Sequence, residues 1–130
     1  MEFLNVIVAA AGSFAFGAIW YMALSKPWMA ASGVEVGPDG NPANESPLPY
    51  IMSGVTALLV AGMMRHMFAT SAVDSIWEGV VSGFGVGAFF ITPWLMMTNF
   101  FCDRPFKLTM IDGGYAIIGC SIIGAILMAF

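Results

Sequence analysis

Four long apolar segments dominate this sequence and constrain its fold more than any other feature. Each exceeds the roughly 20 residues with which an α-helix crosses the hydrocarbon core of a bilayer. They cover residues 3–24, 48–69, 76–101 and 109–130. Only 9% of the 130 residues are charged and 59% are hydrophobic, and a chain this short cannot bury so much apolar surface away from water. The sequence therefore predicts an all-α, polytopic integral membrane protein, whose four transmembrane helices form one bundle and one membrane domain.

The connections between the segments differ in length. Residues 25–47 form an extramembrane loop rich in Gly, Pro, Asn and Asp, which favour turns. A plain solvated connector, a lid and a docking arm all fit this composition. The loop begins with Lys26 and Pro27, which suit a short interfacial helix because proline is accepted at a first helical position. Residues 70–75 form a tight connection, which predicts that the second and third spans are antiparallel neighbours.

The few charged residues argue against one class of partner and predict the orientation of the chain in the membrane. The net charge is −4 and no basic block is present, which argues against nucleic acid as a partner. Lys26, Arg104 and Lys107 lie on one side of the predicted membrane, and Arg65 lies on the other. The positive-inside rule then places the first and third connections in the cytoplasm and both termini outside.

Small residues recur in every span, where they would allow helices to approach closely. The third span carries a row of them that we interpret as one packing stripe: Gly79, Ser82, Gly83, Gly85 and Gly87. Across the chain, the glycines expected at helix contacts are Gly17, Gly83, Gly87 and Gly124. Pro93 should kink the third span, because its ring frees a carbonyl one turn earlier.

The stretch that joins the third and fourth spans concentrates the polar chemistry of the chain. It holds two of the four basic residues, and it leads into Asp112 at the start of the fourth span. We expect an interfacial polar cluster flanked by Trp20, Tyr21 and Trp28. Its members are Lys26, Asn99, Arg104, Asp112 and Tyr115. Such a cluster is suited either to recognising a lipid headgroup or to locking the loops together.

Asp112 is the strongest candidate for a site residue. A carboxylate in or near a membrane span is costly and marks a functional position by default. The sequence from Thr109 to Asp112 also fits a capping box at a helix start, where the helix dipole favours a carboxylate. Arg104 or Lys107 is positioned to pair with it. A structural role and a solute or proton site both remain open.

No residue pattern indicates a catalytic or cofactor site. The single histidine, His66, is spaced with Met63 and Met67 on one helix face, as a Cu(I) site would require. Haem or pigment ligation by His66 is a further alternative, but methionine is abundant here, and a plain interfacial histidine is the favoured interpretation. With no Ser/His/Asp arrangement, we predict neither an enzyme nor a bound cofactor or metal.

Several short motifs, in order along nearly the whole chain, resemble a known family. These are Gly17-Ala-Ile-Trp20-Tyr21, Lys26-Pro-Trp28, Thr98-Asn99-Phe100, Arg104-Pro105-Phe106-Lys107 and Ile111-Asp112-Gly-Gly-Tyr115. The chain is similar to the bacterial membrane-protein family catalogued as domain of unknown function 1761. That resemblance implies a four-helix protein of the bacterial inner membrane and supplies no activity. The segment 38–47 departs from the shorter loops of the family.

Two functions from different classes follow from these features. Small-residue faces, few intramembrane charges and the lack of a binding motif favour an accessory or assembly subunit. Such a subunit would pack against lipids and against other membrane helices, in a larger complex or a homo-oligomer. The alternative is a homo-oligomeric transporter of a small solute or ion that uses Asp112. Small multidrug-resistance exporters carry a carboxylate inside the first span, which this chain lacks.

Overall fold

A computed structural model describes residues 2–130 as a set of helices joined by short connections. The helices are α1 (Glu2–Ala23), α2 (Ser25–Ser32), α3 (Leu48–Thr70), α4 (Ile76–Gly85), a π-helical segment (Val86–Ile91), α5 (Thr92–Phe101) and α6 (Phe106–Ala129). We call the continuous helix Ile76–Phe101 the third span. Together with Phe3–Ala23, Leu48–Thr70 and Phe106–Ala129, it is long and apolar enough to cross a membrane. The prediction of an all-α, multi-pass membrane fold is confirmed.

Helix α6 is the centre of the bundle. In its most apolar segment 44% of the residues are buried, against 22% in α1 and α3 and 11% in the third span. Both α1 and the third span pack along α6, whereas α3 packs mainly on α1 and less extensively on α6.

The prediction that the second and third spans are packed neighbours is wrong. The residues between α3 and α4 hold only the ends of the two helices close together, and no extensive contact joins them among the described residues. The third span instead follows α6, because its glycines find a matching surface there.

A row of three glycines, Gly79, Gly83 and Gly87, joins the third span to α6. A Cβ added at Gly87 would lie 2.5 Å from the carbonyl oxygen of Ala116. One added at Gly83 would meet the Cys120 carbonyl still more closely, and Gly79 and Gly124 face each other in the same way. Backbones this close gain dense van der Waals contact, which holds helices together in lipid.

Two other glycines differ in their surroundings. Gly85, which the sequence assigns to the same stripe, is excluded from it, since a Cβ there would meet nothing within 4 Å. Gly17 on α1 contacts the side chain of Tyr115 on α6. A Cβ at this position would lie 2.8 Å from the Tyr115 ring, so this glycine makes room for that aromatic ring.

The disturbance expected at Pro93 takes the form of the π-helical segment that precedes it. Proline has no N–H to donate, so the regular α-helical pattern is interrupted around it. The backbone N–H of Thr92 donates to the carbonyl of Gly87, and the Thr92 hydroxyl donates to the same oxygen at 2.7 Å. Short π segments of this kind accommodate such interruptions within membrane helices.

The short helix expected at Lys26 and Pro27 is present as α2, which ends at Ser32 and is followed by Gly33, whose φ of 75° suits glycine. The start of the fourth span differs from the expected boundary. Helix α6 begins at Phe106, three residues before the expected start. The capping box at Thr109 is therefore wrong. This residue lies inside the helix, where its buried hydroxyl accepts a hydrogen bond from Asn99.

Candidate functional site

The side chain of Asp112 has a direct partner on another helix. The phenol O–H of Tyr21, near the end of α1, donates to Asp112 Oδ1 over 2.7 Å. The ring of Trp28 on α2 packs against Tyr21. Next to these contacts, Trp20 Nε1 donates to the backbone carbonyl of Ile111 at 2.9 Å. Two consecutive aromatic residues of α1 therefore bind two consecutive residues of α6.

Aromatic rings surround this connection. The ring of Tyr21 lies edge-on to Tyr115, with centroids 5.5 Å apart, and edge-on to Trp28 at 6.0 Å. Phe16 contacts both Trp20 and Tyr115. Edge-to-face contacts at these separations are favourable. They fix the orientation of the phenol that holds the carboxylate.

A cavity of about 500 Å³, open to the surface as a groove, is lined by Asp112 and by residues of the third span. Its walls divide into a polar and an apolar set. The polar set is Thr98, Asn99, Arg104 and Asp112, and the apolar set is Phe90, Ile91, Trp94 and Leu95. Its size lies within the roughly 300–1,000 Å³ that is typical of ligand pockets.

In the polar wall of the cavity, Asn99 is held by a hydrogen bond, whereas the side chain of Arg104 is exposed. Asn99 is buried, and its Nδ2 donates to Thr109 Oγ1 over 3.0 Å, which fixes the amide between α5 and α6. Arg104 is exposed in the connection between the same two helices. Its positive charge acts on Asp112 across the cavity, without a direct ion pair between them in the described part of the chain.

The five residues of the predicted polar cluster occupy three different places. Asn99, Arg104 and Asp112 meet at the cavity. Tyr115 lies on the α1 side of α6, where its hydroxyl donates to the backbone carbonyl of Ser13 at 3.4 Å. Lys26 is exposed on α2 and forms no hydrogen bond or ion pair with the residues that the structure describes. Asp112 thus belongs both to the aromatic contact between α1 and α6 and to the wall of the cavity.

Sequence reasoning placed Tyr21 beside the cluster and missed it as the partner of Asp112. The available signal was its position at the end of the first apolar run, at the same membrane face as the start of the fourth. His66, Met63 and Met67 lie exposed on α3. Within residues 3–130 no three His, Cys, Asp or Glu side chains come together to hold a metal ion.

The fold and the site define a multi-pass α-helical membrane protein with an open cavity of mixed polar and apolar lining. Residues 4–128 match the family model described as a protein of unknown function, DUF1761. The chain belongs to this family, as the sequence motifs indicated. No curated protein and no solved structure matches the chain.

Proposed function

We propose that the protein is an accessory or assembly subunit that packs, through the outer face of its third span, against membrane helices in a larger complex. We propose a second copy of the same chain as its first partner. One observation carries this proposal. Only 11% of the residues in the apolar part of the third span are buried, and among the described residues its extensive contacts with other helices are made along α6. Much of its remaining surface is exposed and could receive another helix.

The outer face of this span combines an exposed glycine with bulky exposed neighbours. Gly85 is two residues from Gly83, and so lies about 200° around the helix from the stripe that contacts α6. The exposed side chains of Val81, Phe84 and Phe89 stand around it, and no atom fills the space above it. A symmetric pair of chains would place a bulky side chain of each copy over the glycine of the other.

Energy transfer between labelled copies in liposomes tests this interface. Cys102 is exposed and Cys120 is buried, so a maleimide dye labels one position. We expect transfer between wild-type copies that survives dilution with lipid and is lost in Gly85→Leu. Gly62→Leu is the matched control, because this α3 glycine also has nothing within 4 Å. Absence of transfer in the wild type, or equal loss in both variants, would refute the proposed interface.

Transport of a small solute or ion by a homo-oligomer is the second candidate function. It is favoured by one observation, which is that Asp112 lies on a helix long and apolar enough to span a membrane and lines the cavity. An intramembrane carboxylate is a common element of ion and proton pathways. If Asp112→Asn remains folded but abolishes ion-linked uptake in vesicles that the wild type supports, transport replaces the subunit role as the better explanation.

We further propose that the protein resides in a bacterial inner membrane, with the connection at Cys102 in the cytoplasm. The support is the excess of Lys26, Arg104 and Lys107 on that face. Neither enzymatic activity nor a cofactor forms part of this proposal. A membrane-impermeant thiol reagent should leave Cys102 unmodified in intact spheroplasts and label it after lysis. Labelling before lysis would reverse the orientation.

A further inference from the structure

We propose that the cavity between α5 and α6 binds the headgroup of a zwitterionic amphiphile, with a phosphate at Arg104 and an ammonium group at Asp112. This inference does not depend on the subunit role, because it concerns the isolated chain. The ligand class follows from three properties of the cavity: the direction of its polarity, its pair of opposite charges and its aromatic wall.

The polarity of the cavity follows the direction of the membrane normal. Asn99 is two residues from the end of α5 at Phe101, or about 3 Å at 1.5 Å per residue. Phe90 is eleven residues from that end, or about 16 Å deeper along the third span. Asn99 and Arg104 therefore lie near the membrane surface and Phe90 lies towards its centre. Asp112 is six residues from the start of α6 at Phe106, or about 9 Å, and so lies at an intermediate depth. A lipid with its acyl chains beside Phe90 and its phosphate at Arg104 would fold its headgroup back so that the ammonium group reaches Asp112.

The two charges of the cavity select the headgroup. The guanidinium of Arg104 carries five donors and uses none of them on a residue that the structure describes, and it suits the bidentate binding of a phosphate. The Asp112 carboxylate, held by Tyr21, suits an ammonium group. A purely anionic ligand would meet Asp112, and a purely cationic ligand would meet Arg104. A zwitterion satisfies both.

The apolar wall of the cavity suits the acyl chains of such a ligand. Trp94 and Phe90 in the apolar wall are 68% and 61% exposed. Aromatic faces attract ammonium groups, and they also contact acyl chains. Ile91 and Leu95 complete an apolar surface that a soluble phosphoethanolamine could not use. This difference separates a membrane lipid from the free headgroup as the ligand.

The test measures lipid retention on the purified full-length chain by native mass spectrometry, with phosphatidylethanolamine and phosphatidylglycerol offered in equal amounts. We expect the wild type to retain phosphatidylethanolamine at least about tenfold more tightly, the ratio that one charged hydrogen bond supplies. Arg104→Gln should weaken the retention of both lipids. Asp112→Asn should weaken phosphatidylethanolamine alone and so remove the preference. Lys107→Gln, which removes an exposed charge outside the cavity, is the control.

Two further measurements complete the design. Soluble phosphoethanolamine should compete for the site at least about a hundredfold more weakly than the lipid; equal competition would assign the same site to a soluble zwitterion. If Asp112→Asn does not fold, Trp94→Ala takes its place, because this exposed side chain is dispensable for packing, and it should reduce phosphatidylethanolamine retention severalfold. Equal retention of the two lipids by the wild type overturns the proposal. So does a loss in Lys107→Gln as large as that in Arg104→Gln.

Discussion

The hydrogen bond between Tyr21 and Asp112 gives the sharpest test of how this bundle is held together. Tyr21→Phe removes one hydroxyl and keeps the ring that contacts Tyr115 and Trp28. The packing of the aromatic cluster is therefore conserved, and the change in the free energy of unfolding reports the loss of a donor to a half-buried carboxylate.

The geometry of this hydrogen bond indicates how much Tyr21→Phe should change the free energy of unfolding. The 2.7 Å separation is the usual length of an O–H···O hydrogen bond, and the acceptor is a carboxylate oxygen. Hydrogen bonds to charged groups contribute about 1.5–3 kcal/mol in soluble proteins, whereas those between membrane helices reach about 1.7 kcal/mol. We therefore expect Tyr21→Phe to lower the free energy of unfolding by about 1.5 kcal/mol.

Reversible unfolding in mixed micelles with increasing SDS provides the assay, and Tyr115→Phe is the matched control. The Tyr115 hydroxyl lies 3.4 Å from its acceptor, a backbone carbonyl, so its removal should cost no more than about 0.5 kcal/mol. In a double-mutant cycle with Asp112→Ala, Tyr21→Phe should show most of its cost as coupling. The reasoning is refuted if the two tyrosine variants are equally stable, or if Tyr21 and Asp112 prove additive.

The same cycle tests the pair that the sequence indicated. Arg104 acts on Asp112 through its charge and makes no direct contact with it. The coupling between Arg104→Ala and Asp112→Ala should therefore stay within the 0–1 kcal/mol of an exposed pair. A coupling larger than that of Tyr21 would restore Arg104 as the main partner of the carboxylate.

Three further outcomes are expected. Gly87→Leu should lower the free energy of unfolding by about 1–3 kcal/mol or more, because its side chain has no space against α6, whereas Gly62→Leu should have little effect; equal thermal stability would contradict this packing. Thr109→Val removes the buried acceptor of the 3.0 Å amide hydrogen bond from α5 and should cost about 1–3 kcal/mol in the SDS assay; no loss would show that the amide finds another acceptor. A hydrogen bond to the Glu78 carboxyl and its negative charge raise the pKa of Asp74. Any stability from this pair is therefore greatest where the two carboxyls share one proton, and it is lost as pH rises through the pKa of Asp74 or falls through that of Glu78. By ¹³C NMR, Glu78→Gln should return the pKa of Asp74 to its usual range, and an unchanged titration would argue against the contact.

The packing of the bundle could be anticipated only in part. The spacing of Gly79, Gly83 and Gly87 is visible in the sequence, and so is their suitability for close contact. The sequence also assigned Gly85 to the same face, because a row of glycines carries no information about which side a partner occupies. The structure separates them, since α6 supplies backbone carbonyls on one side and Gly85 faces open space.

The candidate site could likewise be anticipated from the sequence only in part. Asp112 could be singled out from the sequence because a carboxylate in an apolar run is costly wherever its neighbours lie. Its partner could not be, because Tyr21 is 91 residues away. Lys26 and Arg104 carry the same charge and both lie in connections on one membrane face. Only their positions in the fold decide that Arg104 lines the cavity and Lys26 does not.

The sequence by itself determined the all-helical, multi-pass class of this protein, since the length and apolar character of each span are local properties that satisfy the backbone without help from other spans. The tertiary structure alone decided that α6 is the central helix, that α3 and the third span are separated, and that Asp112 lies between an aromatic connection and a cavity. The physical reason is that lipid solvates every apolar face equally well. Helices in lipid therefore choose their neighbours by the match of their surfaces, and that match arises only when distant residues meet.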